Sequence, residues 1–96
     1  MKKTNTQSLG DVLRQVLKEQ NLSEKLNEQR LIDAWRPVLG VGVAQYTTRL
    51  YIKNKVLNVQ ISSAVLRAEL MMSRGKLMQA LNNYVGEQVI VDIMFR

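Results

Sequence analysis

At Tyr46 the hydrophobic period of this chain switches from helical to alternating, and only a fold that contains a sheet can satisfy that switch. From there Thr48, Leu50 and Ile52 fall on one side of an extended chain, and Thr47, Arg49, Tyr51 and Lys53 on the other. Lys53-Asn54-Lys55 makes a short polar turn, after which Leu57, Val59 and Ile61 alternate with Asn58 and Gln60. The two runs read as a β-hairpin. A third strand is expected where Val89-Ile90-Val91-Asp92-Ile93-Met94-Phe95 concentrates β-branched residues.

Helical patterns flank the hairpin. Ser8, with Asp11 three residues on, has the form of a capping box, and Leu9, Val12, Leu13, Val16 and Leu17 recur at helical spacing. Asn21 is expected to interrupt that helix, and Ser23 with Glu24 to open a second one whose Leu26, Leu31 and Trp35 share a broad face. Pro37 should disfavour helix at Arg36, with Gly40 and Gly42 completing the break. After the hairpin, Ser62 or Ser63 caps a long helix with a core stripe of Leu66, Leu70, Leu77, Ala80, Leu81 and Tyr84, which Gly86 ends. The predicted order is α-α-β-β-α-β, an α/β chain of the α+β type with a three-stranded sheet and helices packed on one face. Ninety-six residues supply one core, so a single domain over 8–96 is expected behind a polar, fraying segment 1–7.

What the chain lacks narrows its chemistry. There is no cysteine and no histidine, which removes disulfides, thiolate metal sites and the commonest general base and metal ligand. Glu69, Glu87 and Asp92 form no obvious pair, and the nucleotide-binding glycine patterns are absent. A non-enzymatic protein without metal, cofactor or small-molecule substrate is the expectation. No apolar run is long enough to span a bilayer, and Met1-Lys2-Lys3 leads into polar residues, so cytoplasmic residence without a membrane partner is expected.

Fourteen Lys and Arg against eight Asp and Glu give a net charge of +6 and favour an anionic partner. Residues 41–86 carry six cations and one anion, hence +5 of that total. Within this stretch Arg49 and Lys53 flank Tyr51, with Lys55 in the turn and Asn58 and Gln60 across the hairpin. Aromatic rings interleaved with cations suit a single nucleic-acid strand, because rings stack on bases while cations follow phosphates. Arg67 and Arg74, seven residues apart on one predicted helix, extend the same surface, and Tyr46 either joins it or seats its hydroxyl on nearby backbone. A solvated basic face without a partner is the plain alternative; Trp35, at helical spacing with leucines, is read as a core residue, with a base-stacking platform as the alternative. A further reading uses the open sheet face, with Tyr51, Ile90 and Met94, to form a homodimer or dock a partner.

The order of parts from Trp35 onward resembles the DciA-like family of bacterial proteins connected with the replicative helicase. The resemblance covers residues 9–96 and rests on Trp35, Pro37 and Gly40, on Tyr46-Thr47, on Val56-Leu57-Asn58-Val59, on Ser62-Ser63, on Leu70, and on the ending Ile93-Met94-Phe95-Arg96. The chain departs from the pattern in having Tyr46-Thr47-Thr48-Arg49 where the family often has His-Thr-x-Pro, no glycine near Lys55, and Leu66 in place of a second tryptophan. The resemblance implies a KH-like domain that helps load or operate the replicative helicase and touches single-stranded or forked DNA. An RNA-associated KH-like role is a third possibility, disfavoured because no Gly-x-x-Gly loop occurs.

Overall fold

The computed structural model describes residues 8–96, and the expectation for residues 1–7 lies outside the described residues. Helix α1 spans Leu9–Leu39, 31 residues, with Ser8 as its N-cap accepting from the Asp11 amide at 3.2 Å. The predicted division at Asn21 does not occur. Asn and Ser in a helix interior each cost well under about 1 kcal/mol relative to alanine, which is too little to offset the hydrogen bonds that propagation adds on both sides. Nor does Pro37 end the helix at Arg36: it lies inside the last turn, where its fixed φ is helical and a single backbone bond is forfeited. The stop is Gly40, at φ 92°, whose amide closes on the Arg36 carbonyl at 2.8 Å.

A four-residue helix, α2 (Val41–Ala44), turns the chain into strand β1 (Thr47–Lys53), followed by β2 (Val56–Ile61). The two-residue connection Asn54-Lys55 has positive φ at both positions, 52° and 63°, the backbone of a type I′ hairpin. Helices α3 (Ala64–Met72) and α4 (Arg74–Val85) then carry the chain to β3 (Asp92–Phe95). The sheet order is β1-β2-β3, antiparallel between the first pair and parallel between the second. This is the expected α+β class, with the helical pair as the crossover that a parallel pairing requires.

Ser63 caps α3 by accepting from the Leu66 amide at 3.3 Å. The predicted single long helix is broken at Ser73, whose ψ of 15° lies outside the helical range. The break turns the second half, so Leu70 and Leu81 are buried while Ala80 and Tyr84 of the predicted stripe are exposed. Strand β3 is also shorter than predicted. Val89 and Ile90 are buried ahead of it, held by Asn82, whose Oδ1 accepts from both their amides at 2.9 and 3.1 Å and whose Nδ2 donates to the Ile90 carbonyl at 2.9 Å. One side chain thus satisfies three backbone groups that no ladder reaches.

The core joins Leu31, Ala34 and Trp35 of α1 to Leu57, Val59 and Ile61 of β2, Leu81 of α4, and Ile93 and Phe95 of β3. Trp35 is 2% exposed and tilts against Phe95 at 6.4 Å between ring centroids. Its Nε1 donates to Thr47 Oγ1 at 2.9 Å, and that hydroxyl donates to the Val43 carbonyl at 3.0 Å. Burying the indole therefore strands no polar atom. The predicted core position of Trp35 holds, and Thr47 is its partner.

Thr47 thereby faces the core, opposite to its predicted side. A bulge lies between Thr47, paired with Ile61, and Arg49, paired with Gln60, so Thr48 is the extra residue and the parity of the strand shifts by one before Arg49. Leu26 departs from prediction as well. It stands more than a quarter turn from Leu31 and Trp35 around α1 and is exposed.

Candidate nucleic-acid interface

With Leu57, Val59 and Ile61 turned into the core, β2 presents Val56, Asn58 and Gln60 on the other face. Register then sets three rows across that face. Arg49 pairs with Gln60, Tyr51 with Asn58 and on to Met94, and Lys53 with Val56 and on to Asp92. Arg49 lies over the Tyr51 ring, its guanidinium carbon 4.8 Å from the centroid. Such a stack holds the guanidinium flat on the ring while its nitrogens remain available to an anion. Asn58, between Tyr51 and Met94 in register, is buried and donates to the Val56 carbonyl at 3.1 Å.

One cation was missed in the sequence. Arg96 follows Met94 by two residues and so shares its face, and its Nη2 lies 3.0 Å from the Met94 sulfur. The Arg96 backbone prolongs the pairing, its amide donating to Val59 and its carbonyl accepting from Ile61. Strand parity alone would have found it. Arg49, Lys53 and Arg96, all exposed, therefore surround Tyr51 on one sheet face.

The remaining predicted residues are engaged to different degrees. Arg67 is half-buried, and its Nη1 donates to the Ile61 carbonyl at 3.1 Å, tying α3 to the end of β2. Arg74 is 3.4 Å from Asp92, so the carboxylate at the start of β3 meets that cation. Because Ser73 interrupts the helix, Arg67 and Arg74 belong to α3 and α4 and do not form one helical stripe. Lys55 sits at the hairpin tip in a groove it shares with Glu24, Glu28 and Glu87, which lowers the positive potential there. Tyr46 is 44% exposed, and its carbonyl accepts from the Ser62 amide and hydroxyl at 2.9 and 3.2 Å, near the Arg49 end of the sheet. Ile90, assigned above to an interaction surface on this face, is fully buried and belongs to the core; the loop pinned by Asn82 turns it inward.

The architecture is that of a small basic α+β domain with one covered and one open sheet face. No helix among the described residues is long and apolar enough to cross a membrane. The family model described as Dna[CI] antecedent, DciA, matches residues 8–95, and the chain belongs to the DciA family. It is also similar to two UPF0232 proteins of Mycolicibacterium smegmatis, one of them described as lying in the recF-gyrB intergenic region, at 28% identity over 87 residues in each case. The match covers 91% of this chain and 45% of each relative, so the chain spans less than half the length of the curated relatives it matches. No solved structure matches. Trp35, Thr47 and Phe95, part of the resemblance noted above, are thus packing partners at the junction of α1 and the sheet.

Proposed function

We propose that this domain is a non-enzymatic accessory of the bacterial replicative DNA helicase, acting in the cytoplasm and contacting single-stranded or forked DNA through the open sheet face. The observation that carries the reading is the stack of Arg49 on Tyr51, flanked by Lys53 and Arg96. Arg49 to Lys53 is four residues of strand, about 13 Å, enough for roughly two nucleotides of an extended strand. Tyr51 offers a ring to a base, while the cations on either side follow the phosphates. Arg67 and Tyr46 extend the path at the Arg49 end, and Lys55 and Arg74 border it at the other. Family membership supports the helicase partner, and DNA contact rests on charge and geometry.

The test is fluorescence anisotropy of a labelled single strand at several salt concentrations. If three or four phosphates are neutralised, affinity should fall about 20- to 50-fold between 50 and 200 mM salt. Lys53→Glu with Arg49→Glu should remove the binding. No binding of any DNA at low salt would reject the interface, and equal or tighter binding of RNA of the same sequence would move the reading to RNA. Pull-down with the host's replicative helicase, with and without single-stranded DNA, tests the partner.

A further inference from the structure

The N-terminal half of α1 carries an apolar stripe that the folded body does not cover. At 100° per residue, Leu9, Val12, Leu13, Val16 and Leu17 lie on the same face as Leu31, Ala34 and Trp35, the residues that bury α1 in the core. One continuous helix face is therefore buried in its second half and bare in its first. Leu9, Leu13 and Leu17 are 76%, 54% and 59% exposed. The molecule is accordingly elongated, 65 × 20 × 20 Å, with a radius of gyration of 18.2 Å. A compact chain of this length would have about 12 to 13 Å.

We infer that this stripe is a self-association surface, on which a second copy of the chain docks antiparallel through α1. Charge selects the occupant. Between Leu9 and Leu26 the helix carries Arg14, Lys18 and Lys25 against Asp11, Glu19 and Glu24, so it is neutral in a chain of net charge +6. A nucleic acid or an anionic membrane would call for a cationic surplus, whereas a surface that meets its own copy must avoid one. Area agrees. The five exposed side chains present roughly 450 Å² of apolar surface, near the largest patch an ordinary monomer leaves bare. Two copies would bury about 900 Å² in total, the size of a weak, reversible interface.

Register and direction follow from the same stripe. Gln20, Ser23, Glu24 and Asn27 continue that face in polar form, so the apolar overlap is confined to residues 9–17 and centred on Leu13. An antiparallel pair about that centre sets Leu13 beside Leu13 and Leu9 toward Leu17 of the other copy. A parallel pair would bring two strongly basic sheet regions side by side; the antiparallel pair puts them at opposite ends.

The test is sedimentation equilibrium of the whole chain from about 1 to 500 μM, over which the weight-average mass should rise from monomer toward dimer. Leu13→Glu should raise the dimer dissociation constant roughly 100-fold or more, since both copies then bring a charge to the apolar centre. Leu22→Glu, on the far side of the helix, should leave it unchanged, and Trp35 fluorescence reports that both variants retain the folded body. Because the chain has no cysteine, direction can be read directly. Leu9→Cys mixed with Leu17→Cys should cross-link on oxidation, and Leu9→Cys alone should not. A monomer at every concentration, a dimer indifferent to Leu13→Glu, or a cross-link from Leu9→Cys alone would each overturn the inference.

Discussion

Replacing Lys55 separates what the hairpin turn costs from what its charge contributes. Lys55 holds φ 63° as the second residue of the turn, a conformation glycine adopts freely and other residues adopt at about 1–2 kcal/mol. Asn54, at φ 52°, is among the residues that tolerate it best. Lys55→Ala and Lys55→Gly both remove the charge facing Glu24, Glu28 and Glu87. Only the glycine relieves the backbone, and it gives back roughly 0.5–1 kcal/mol because the unfolded chain becomes more flexible. The glycine variant should thus be more stable than the alanine variant by about 0.5–1 kcal/mol, or about 3–6 °C in melting temperature for a domain of this size. The carbonyl of residue 55 still accepts from the Val91 amide, so the loop ahead of β3 keeps its anchor. Thermal melts followed by circular dichroism compare the two. Equal melting temperatures would refute the positive-φ turn. In DNA titrations both variants should reduce the salt dependence less than Lys53→Ala does, because the carboxylates around Lys55 already oppose it; a larger effect at Lys55 would refute the assignment of the path to Lys53.

Thr47→Val removes the acceptor of the buried Trp35 N–H and should cost about 1–3 kcal/mol, whereas Thr47→Ser keeps it; urea denaturation monitored by Trp35 fluorescence measures both. Asn82→Ala leaves the Ile90 amide and carbonyl without their Asn82 partners and the Val89 amide with only the Glu87 carbonyl, and should cost about 2–3 kcal/mol, with faster amide exchange at those two residues as the local signature. Arg49→Lys keeps the charge but loses the planar stack on Tyr51, so single-strand affinity should fall several-fold with little change in the salt slope. Asp92→Asn releases Arg74 from its only charged partner among the described residues and should strengthen DNA binding, at a stability cost under about 1 kcal/mol because both side chains are half exposed.

Features set by neighbours within a few residues were legible in the sequence. Ser8 and Ser63 cap their helices, Gly40 and Gly86 end theirs at φ 92° and 86°, and Leu57, Val59 and Ile61 alternate into the core. Features decided by competition between weak signals were not. Asn21 and Ser23 look like an interruption, yet the helix passes through them because propagation outweighs two poor helix formers. Ser73 looks no different in type, yet the chain breaks there, where the crossover must turn to bring Leu81 and then Ile93 back onto the sheet. The Thr48 bulge and the reach of Asn82 to Ile90 depend on partners distant along the chain, and alternation alone carries no record of either. For the site, parity placed Arg49, Tyr51 and Lys53 together and, carried one strand further, would have added Arg96.

Counting charges and locating them lead to different surfaces. The five cations assigned from the sequence suggest a footprint running from the hairpin tip along one long helix. In the folded chain Arg67 donates to the Ile61 carbonyl, Arg74 meets Asp92, and Lys55 is bordered by three carboxylates. What remains is narrower and sits on the sheet: Arg49 stacked on Tyr51, with Lys53 and Arg96 to either side. The neutral, apolar part of α1 projects away from that face and has a composition unsuited to an anionic ligand. The two surfaces should therefore respond to opposite perturbations. Raising salt weakens a contact made by cations and phosphates while leaving burial of leucine and valine almost unaffected or slightly stronger. Measured on one sample, DNA binding should fall with salt as self-association persists. Parallel loss of both would mean that the dimer, too, is held by charge pairs between Arg14, Lys18 and Lys25 and Asp11, Glu19 and Glu24, and not by the apolar stripe.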